Sequence, residues 1–186
     1  ITEPSNYRAR KHFNDWLAEH GRIGIAGVDT RRLTKRIRTE GAPNGVICHN
    51  PDGTFDIPAL IAKANEWPGL EGMDLAKDNS CTTGYDWDEA LWSREGGYGK
   101  LGNAKHHVVA IDYGVKRNIL RNLASLDCKV SVVPATTTAE EVLAMNPDGI
   151  FLSNGPGDPA ATGEYAVPTI KKLIDSGKPV FGICLG

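Results

Sequence analysis

Beyond residue 105 the chain alternates short apolar runs with helical segments, and this alternation constrains its fold more than any other feature. Val108–Asp112, Lys129–Val133, Gly149–Leu152 and Pro179–Ile183 read as four strands. Between them the spacing predicts a helix near Lys116–Leu126, with Ile119, Leu120, Leu123 and Leu126 on one face. A second helix opens on the capping box Thr138-Ala139-Glu140-Glu141 and ends near Met145, and a third runs near Tyr165–Ser176. Strands alternating with helices make βαβ units in a parallel sheet covered on both faces, an α/β architecture. Ligands of such sheets bind beyond the carboxyl ends of the strands. Three of those ends carry unusual local sequences: Asp112-Tyr113-Gly114, the loop Ser153–Pro159, and Cys184.

The first hundred residues are less regular. Residues 7–20 put Ala9, Phe13, Trp16 and Leu17 on one helical face before a stop at Gly21. Ile23–Ala26 and Asn44–His49 read as strands, the second closed by a turn at Asn50-Pro51-Asp52-Gly53. Asp29 or Thr30 caps a helix that runs through Glu40 to Gly41, and Asp56 caps another that carries Leu60, Ile61 and Ala64. From Pro68 to about Ala104 the pattern dissolves into charges, glycines and the tryptophans Trp87 and Trp92. This stretch is expected to be a linker with one or two extended pieces.

Composition removes several classes. Lys plus Arg total 21 against 23 for Asp plus Glu, a net charge of −2, whereas a nucleic-acid binder carries a basic excess. Hydrophobic residues at 40% are too many for a disordered chain, and no apolar run approaches the roughly 20 residues that span a bilayer. No signal-peptide pattern opens the sequence, so a soluble cytoplasmic protein is the expectation. The four cysteines, Cys48, Cys81, Cys128 and Cys184, form no C-x-x-C pair, so no zinc or dithiol site can be written.

Two motifs carry chemistry. Gly182-Ile183-Cys184-Leu185-Gly186 places a thiol between two glycines at the end of a strand, the pattern of a nucleophile elbow. Cysteine needs little activation because some of it is already thiolate at neutral pH. The elbow also aims the N–H of Leu185 at the reacting centre as an oxyanion donor. A buried, inert cysteine is the plainer reading of this pentapeptide. In Ser153-Asn154-Gly155-Pro156-Gly157-Asp158-Pro159, Gly155 and Gly157 keep their N–H groups near the apex while Pro156 has none. That loop either supplies a second oxyanion donor and lines a small-substrate pocket, or is a tight surface turn.

Taken together, Ser-Asn-Gly-Pro-Gly-Asp-Pro and Val-Phe-Gly-Ile-Cys-Leu-Gly resemble a class I glutamine amidotransferase domain. Gly27-Val28-Asp29-Thr30-Arg31-Arg32-Leu33-Thr34, Gly72-Met73-Asp74-Leu75-Ala76 and Asp112-Tyr113-Gly114-Val115-Lys116-Arg117-Asn118-Ile119-Leu120 resemble the small subunit of carbamoyl-phosphate synthase. The similarity runs from Ser5 to Gly186. It implies a mixed α/β N-terminal portion plus linker over residues 1–104, and the first half of a flavodoxin-like amidotransferase domain over 105–186. It also implies that Cys184 attacks the side-chain amide of glutamine to give a thioester and ammonia, and that water then releases glutamate. Leu185 and Gly155 carry over as oxyanion and glutamine contacts, and Gly157 as a glutamine contact. The implied partner is a large synthetase subunit that uses bicarbonate, ATP and Mg to make carbamoyl phosphate for arginine and pyrimidine biosynthesis. This chain itself is expected to hold no cofactor and no metal. Another class I amidotransferase, serving anthranilate or guanylate synthesis, is the alternative within the enzymes. A non-catalytic assembly module that retains the elbow is the alternative outside them.

The sequence departs from the family at both ends, which read as cut. The family's catalytic histidine and glutamate follow the nucleophile, and a serine that contacts glutamine belongs to the earlier N-terminal portion. No residue present replaces the base, so the 186-residue chain alone is expected to be inactive. His106 and His107 open a strand at the end opposite Cys184, about 16 Å away at 3.3 Å per residue. Arg31, Arg32, Lys35, Arg36 and Arg38 form a basic helix face, solvated or facing an acidic protein surface. Trp87 and Trp92 are expected to pin the irregular stretch to the domain surface.

Overall fold

Aspartate caps decide where the second and third helices of the first 69 residues begin. The structure, a computed structural model, describes residues 3–186 and divides after Gly69 into two compact units. In the first unit α1 is short, Phe13–Glu19, rather than the longer helix expected from residue 7. Asp29 accepts the N–H of Arg32 at 2.9 Å and opens α2 (Thr30–Glu40), which stops at Gly41, φ 88°. Asp56 accepts the N–H of Ala59 at 3.0 Å and opens α3 (Ile57–Glu66). The turn at Asn50 is present, closed by the Gly53 N–H on the Asn50 carbonyl at 3.0 Å. Ile23–Ala26 and Asn44–His49, expected as strands, are irregular and join no ladder among the described residues. Local apolar runs do not make a strand without a ladder partner. None of the three helices buries a residue, and Trp16, Leu33, Ile37 and Ile61 all remain exposed.

The second unit begins with the stretch expected to be a linker, and that expectation is corrected. It contains α4 (Leu75–Asn79), β1 (Tyr85–Trp87), β2 (Glu89–Ser93) and β3 (Gly97–Lys100). Then follow β4 (His106–Asp112), α5 (Arg117–Ser125), β5 (Cys128–Pro134), α6 (Ala139–Ala144), β6 (Gly149–Leu152), α7 (Pro159–Asp175) and β7 (Val180–Gly182). Strand β1 pairs antiparallel with β5, Tyr85 opposite Val132, and so covers an edge of the main sheet. The β2–β3 hairpin lies against α5, where the Arg121 guanidinium sits 4.1 Å from the Tyr98 ring centroid and bonds Glu89 at 2.6 Å. Trp87 packs into the core beneath it, as expected of a pin. These contacts join residues far apart in sequence, which is why local periodicity does not show them.

The five-stranded sheet runs β1-β5-β4-β6-β7, with β4, β5, β6 and β7 parallel. Along the parallel part the order is second, first, third, fourth, the flavodoxin-like arrangement. Alternate residues of β4 feed opposite faces. Val109 and Ile111 join Val142 of α6, Leu173 of α7 and Ala76 of α4. Ala110 joins Val130, Val132, Phe151 and Leu120 of α5 on the other side. Helix α7 starts at Pro159 instead of near Tyr165, because Asp158 caps it and a proline suits the first helical position. The direction in which successive strands are added reverses between β4 and β6, and the segments after those two strands meet at this switch point. Among the described residues no helix is long and apolar enough to cross a membrane.

Candidate active site

Strand β7 ends in a turn closed by the Gly186 N–H on the Ile183 carbonyl at 3.2 Å. Cys184 stands at its corner, exposed, with φ 60°. A left-handed conformation costs a non-glycine residue about 1–2 kcal/mol. The flanking glycines leave no room for side chains. A Cβ on Gly182 would lie 2.3 Å from the Gly186 carbonyl carbon, and one on Gly186 would lie 2.2 Å from the Leu152 carbonyl oxygen. The geometry is that of a sharp, strained turn presenting a thiol at the carboxyl edge of the sheet.

Gly155 is brought to the same place. A Cβ there would meet Leu185 Cδ2 at 2.9 Å, so the loop after β6 and the turn after β7 touch. It would also meet the Tyr113 carbonyl oxygen at 2.3 Å and Tyr113 Cβ at 2.9 Å. Gly155 therefore rests on the turn that follows β4, and that turn is held unusually firmly. Its four consecutive N–H groups all donate to side chains. Tyr113 donates to Ser153 Oγ (2.8 Å), Gly114 and Val115 to Asp112 Oδ1 (2.8 and 2.7 Å), and Lys116 to Asn154 Oδ1 (3.0 Å). Asp112, 5% exposed, also accepts the Cys81 N–H through Oδ2 at 2.9 Å. Burial, and then the Asp112 charge, pushes the Cys81 thiol up to about 11. Tyr113 is buried with its hydroxyl unpaired among the described residues, and burial pushes its pKa up to about 12.

Gly157 faces elsewhere. With φ 99°, its open side lies against the Gly72–Ala76 segment, where a Cβ would be 2.7 Å from the Met73 carbonyl oxygen and 2.8 Å from Leu75 N. The Asp158 N–H donates to that Met73 carbonyl at 2.9 Å, and Asp158 Oδ2 accepts the Gly72 N–H at 2.8 Å. Those bonds, the Gly72 N–H first and the Ala160 N–H second, hold the Asp158 carboxyl below the usual carboxylate range. From the opposite side Asp74 accepts Thr162 Oγ1 at 3.1 Å and Tyr165 Oη at 3.3 Å. The roles of Ser153, Asn154, Asp112 and Asp158 escape a search for reactive side chains. Two of the signals lie in the sequence: Asp112 two residues before a glycine suits an Asx turn, and Asp158-Pro159 suits a helix start, whereas Asn154 and Ser153 act on a turn about 40 residues away and leave no local trace.

The other singled-out residues lie outside this site. His106 and His107 open β4, and His107 Nε2 sits 3.0 Å from Ser131 Oγ, which donates to Asp86 at 2.6 Å. Among the described residues no three His, Cys, Asp or Glu side chains gather as metal ligands. Arg31, Lys35 and Arg38 line a shallow groove on α2, while Arg36 pairs with Glu40 at 2.8 Å. Trp92 sits in β2 opposite Tyr98.

Comparison with known proteins gives family matches in both parts of the chain. The glutamine amidotransferase class-I family model matches residues 109–186, and the carbamoyl-phosphate synthase small chain CPSase-domain model matches residues 1–47. The whole chain is 62% identical over 185 residues to the carbamoyl phosphate synthase small chain of Caulobacter vibrioides, covering 48% of that protein. It is 62% identical over 188 residues to that of Rhizobium meliloti and 61% over 186 residues to that of Ruegeria pomeroyi, covering 47% and 48% of them. The chain thus spans about half the length of the curated relatives it matches.

Proposed function

Because the chain belongs to the carbamoyl phosphate synthase small chain family, we propose that its second unit is the nucleophile half of a glutaminase that supplies ammonia for carbamoyl phosphate synthesis. The observation that carries this reading is Cys184 at φ 60° between two glycines that admit no Cβ, with Gly155 packed beside Leu185. The Cys184 sulfur adds to the amide carbon of glutamine, and the oxygen of that amide takes the negative charge. The N–H groups of Leu185 and Gly155 receive it. Collapse breaks the carbon–nitrogen bond and releases ammonia once the nitrogen is protonated, leaving a thioester. Water cleaves the thioester to glutamate and restores the thiol. Gly155, Gly157 and Leu185 hold the substrate through their backbone, while the open side of Gly157 accommodates the Gly72–Ala76 segment.

The base is assigned to a part of the full-length subunit outside these residues, since His106 and His107 sit at the amino end of β4. The amidotransferase domain begins near residue 105, a boundary supported by the family match from 109. The recipient of ammonia is a large synthetase subunit with ATP and Mg, in a cytoplasmic enzyme serving arginine and pyrimidine biosynthesis. The test is Cys184→Ser in the full-length subunit paired with its large partner. Glutamine-dependent synthesis should vanish and synthesis from free ammonia should persist, because the alcohol is a far weaker nucleophile. Surviving glutamine-dependent turnover would remove Cys184 from the mechanism.

A further inference from the structure

We propose that Asn154 is a positioning residue that sets the direction of the Gly155 N–H by locking the loop after β6 onto the turn after β4. This rests on the reading of Gly155 as an oxyanion donor.

Asn154 precedes Gly155 directly, so fixing its side chain fixes the peptide plane next to the donor. Its amide makes two bonds of opposite sense to one turn. Oδ1 accepts the Lys116 N–H at 3.0 Å, and Nδ2 donates to the Gly114 carbonyl at 3.0 Å. Because one end must accept and the other donate, only one orientation of the amide fits. Aspartate would repel the Gly114 carbonyl, and a hydroxyl side chain is too short to reach both groups. The receiving turn does not yield, since Asp112 and Ser153 hold its other three N–H groups. The loop apex also packs over Gly114, where a Cβ would lie 3.1 Å from Pro156 Cδ and 3.6 Å from Gly155 Cα. Two bonds thus register the loop apex against the turn after β4, and the same apex packs beside Leu185 of the elbow.

The Gly155 N–H matters most where it meets a developing charge, so misplacing it lowers kcat more than it raises KM. A displacement of about 1 Å at a catalytic group costs roughly 10²-fold in rate. The experiment compares Asn154→Ala, Asn154→Asp and Cys184→Ala in the full-length subunit bound to its large partner. Glutamate release, KM for glutamine and thermal unfolding are measured for each. Asn154→Ala is expected to lose roughly 10- to 100-fold in kcat with KM for glutamine within about threefold of the parent.

Asn154→Asp keeps the size and the acceptor, and decides the matter if the alanine variant unfolds. As a carboxylate it faces the Gly114 carbonyl and misplaces the loop. It stays ionised at neutral pH, so its kcat should fall at least as far as that of the alanine variant while KM for glutamine stays within about threefold of the parent. A kcat for either variant within threefold of the parent, or a loss confined to KM, would overturn the positioning role. If Cys184→Ala itself kept its glutamine turnover, the underlying reading would fall instead, and the two failures are distinguishable.

Discussion

Gly155→Ala adds one methyl group where the structure has no space for it. The new Cβ would stand 2.3 Å from the Tyr113 carbonyl oxygen and 2.9 Å from both Tyr113 Cβ and Leu185 Cδ2. Relief to an ordinary contact requires a shift of roughly 1 Å. Tyr113 is only 2% exposed, and its turn is held by four side-chain-accepted N–H groups. The loop therefore moves, and the Gly155 N–H moves with it. Gly155 is not among the glycines with positive φ, so the effect is steric and owes nothing to backbone strain. Loss of one oxyanion donor lowers kcat by about 10²–10³, or roughly 2.7–4 kcal/mol in the barrier. Initial rates of glutamate release at saturating glutamine, measured in the full-length subunit with its partner, give the number directly. Gly163→Ala is the control: its Cβ would make an ordinary 3.5 Å contact with Val167 Cγ2 inside α7, and should leave the rate unchanged. A Gly155→Ala rate within threefold of the parent would refute the reasoning and leave the loop as a plain turn.

Three further outcomes are expected. A protein consisting of residues 1–186 alone releases no glutamate above a matched Cys184→Ala control, because the histidines of the second unit open β4 at the opposite end of the sheet from Cys184; Cys184-dependent glutamate would reveal an unidentified base. Stability of the second unit falls between about pH 9 and 11. Folding raises the Cys81 pKa from 9.0 to about 11, so the stabilisation is complete below the lower value and lost as pH rises through the upper one; denaturant unfolding of Cys81→Ala should show a shallower pH dependence than the parent, and identical slopes would contradict the assignment. Thr138→Ala removes the acceptor for the Glu141 N–H and breaks the reciprocal cap of α6, costing about 1 kcal/mol, to be read as a lower midpoint in urea at unchanged slope.

Where a helix start is a cap or a strand is an apolar run buried on both faces, the sequence was enough. Asp29, Asp56 and Thr138 open their helices as expected, and β4, β5 and β6 lie where the apolar runs place them. Elements defined by a distant partner were not legible. Strand β1 has three residues with Asp86 at its centre, and exists because Val130–Val132 of β5 lies alongside. The reverse error occurs at Ile23–Ala26, where the apolar residues are present and the partner strand is not. At the candidate site, spacing marked Cys184 and Gly155 as candidates, each with a plainer reading beside it, and the family resemblance supplied their expected roles. Asp112, Ser153 and Asn154 carry no reactivity of their own. Their work is to accept and donate to one turn, and only the fold shows which N–H groups lack other partners.

The pairing of β1 with β5 also has a consequence for the order of events on the ribosome. Tyr85 waits for Val132, which is made 47 residues later. At about 5–20 residues per second that interval is roughly 2–9 s. During it the segment has synthesised neighbours but no ladder. Three residues with a central carboxylate are poor bait for another nascent chain, so brevity and charge protect the strand until β5 emerges. Lengthening β1 would strengthen the finished edge and expose the unfinished one.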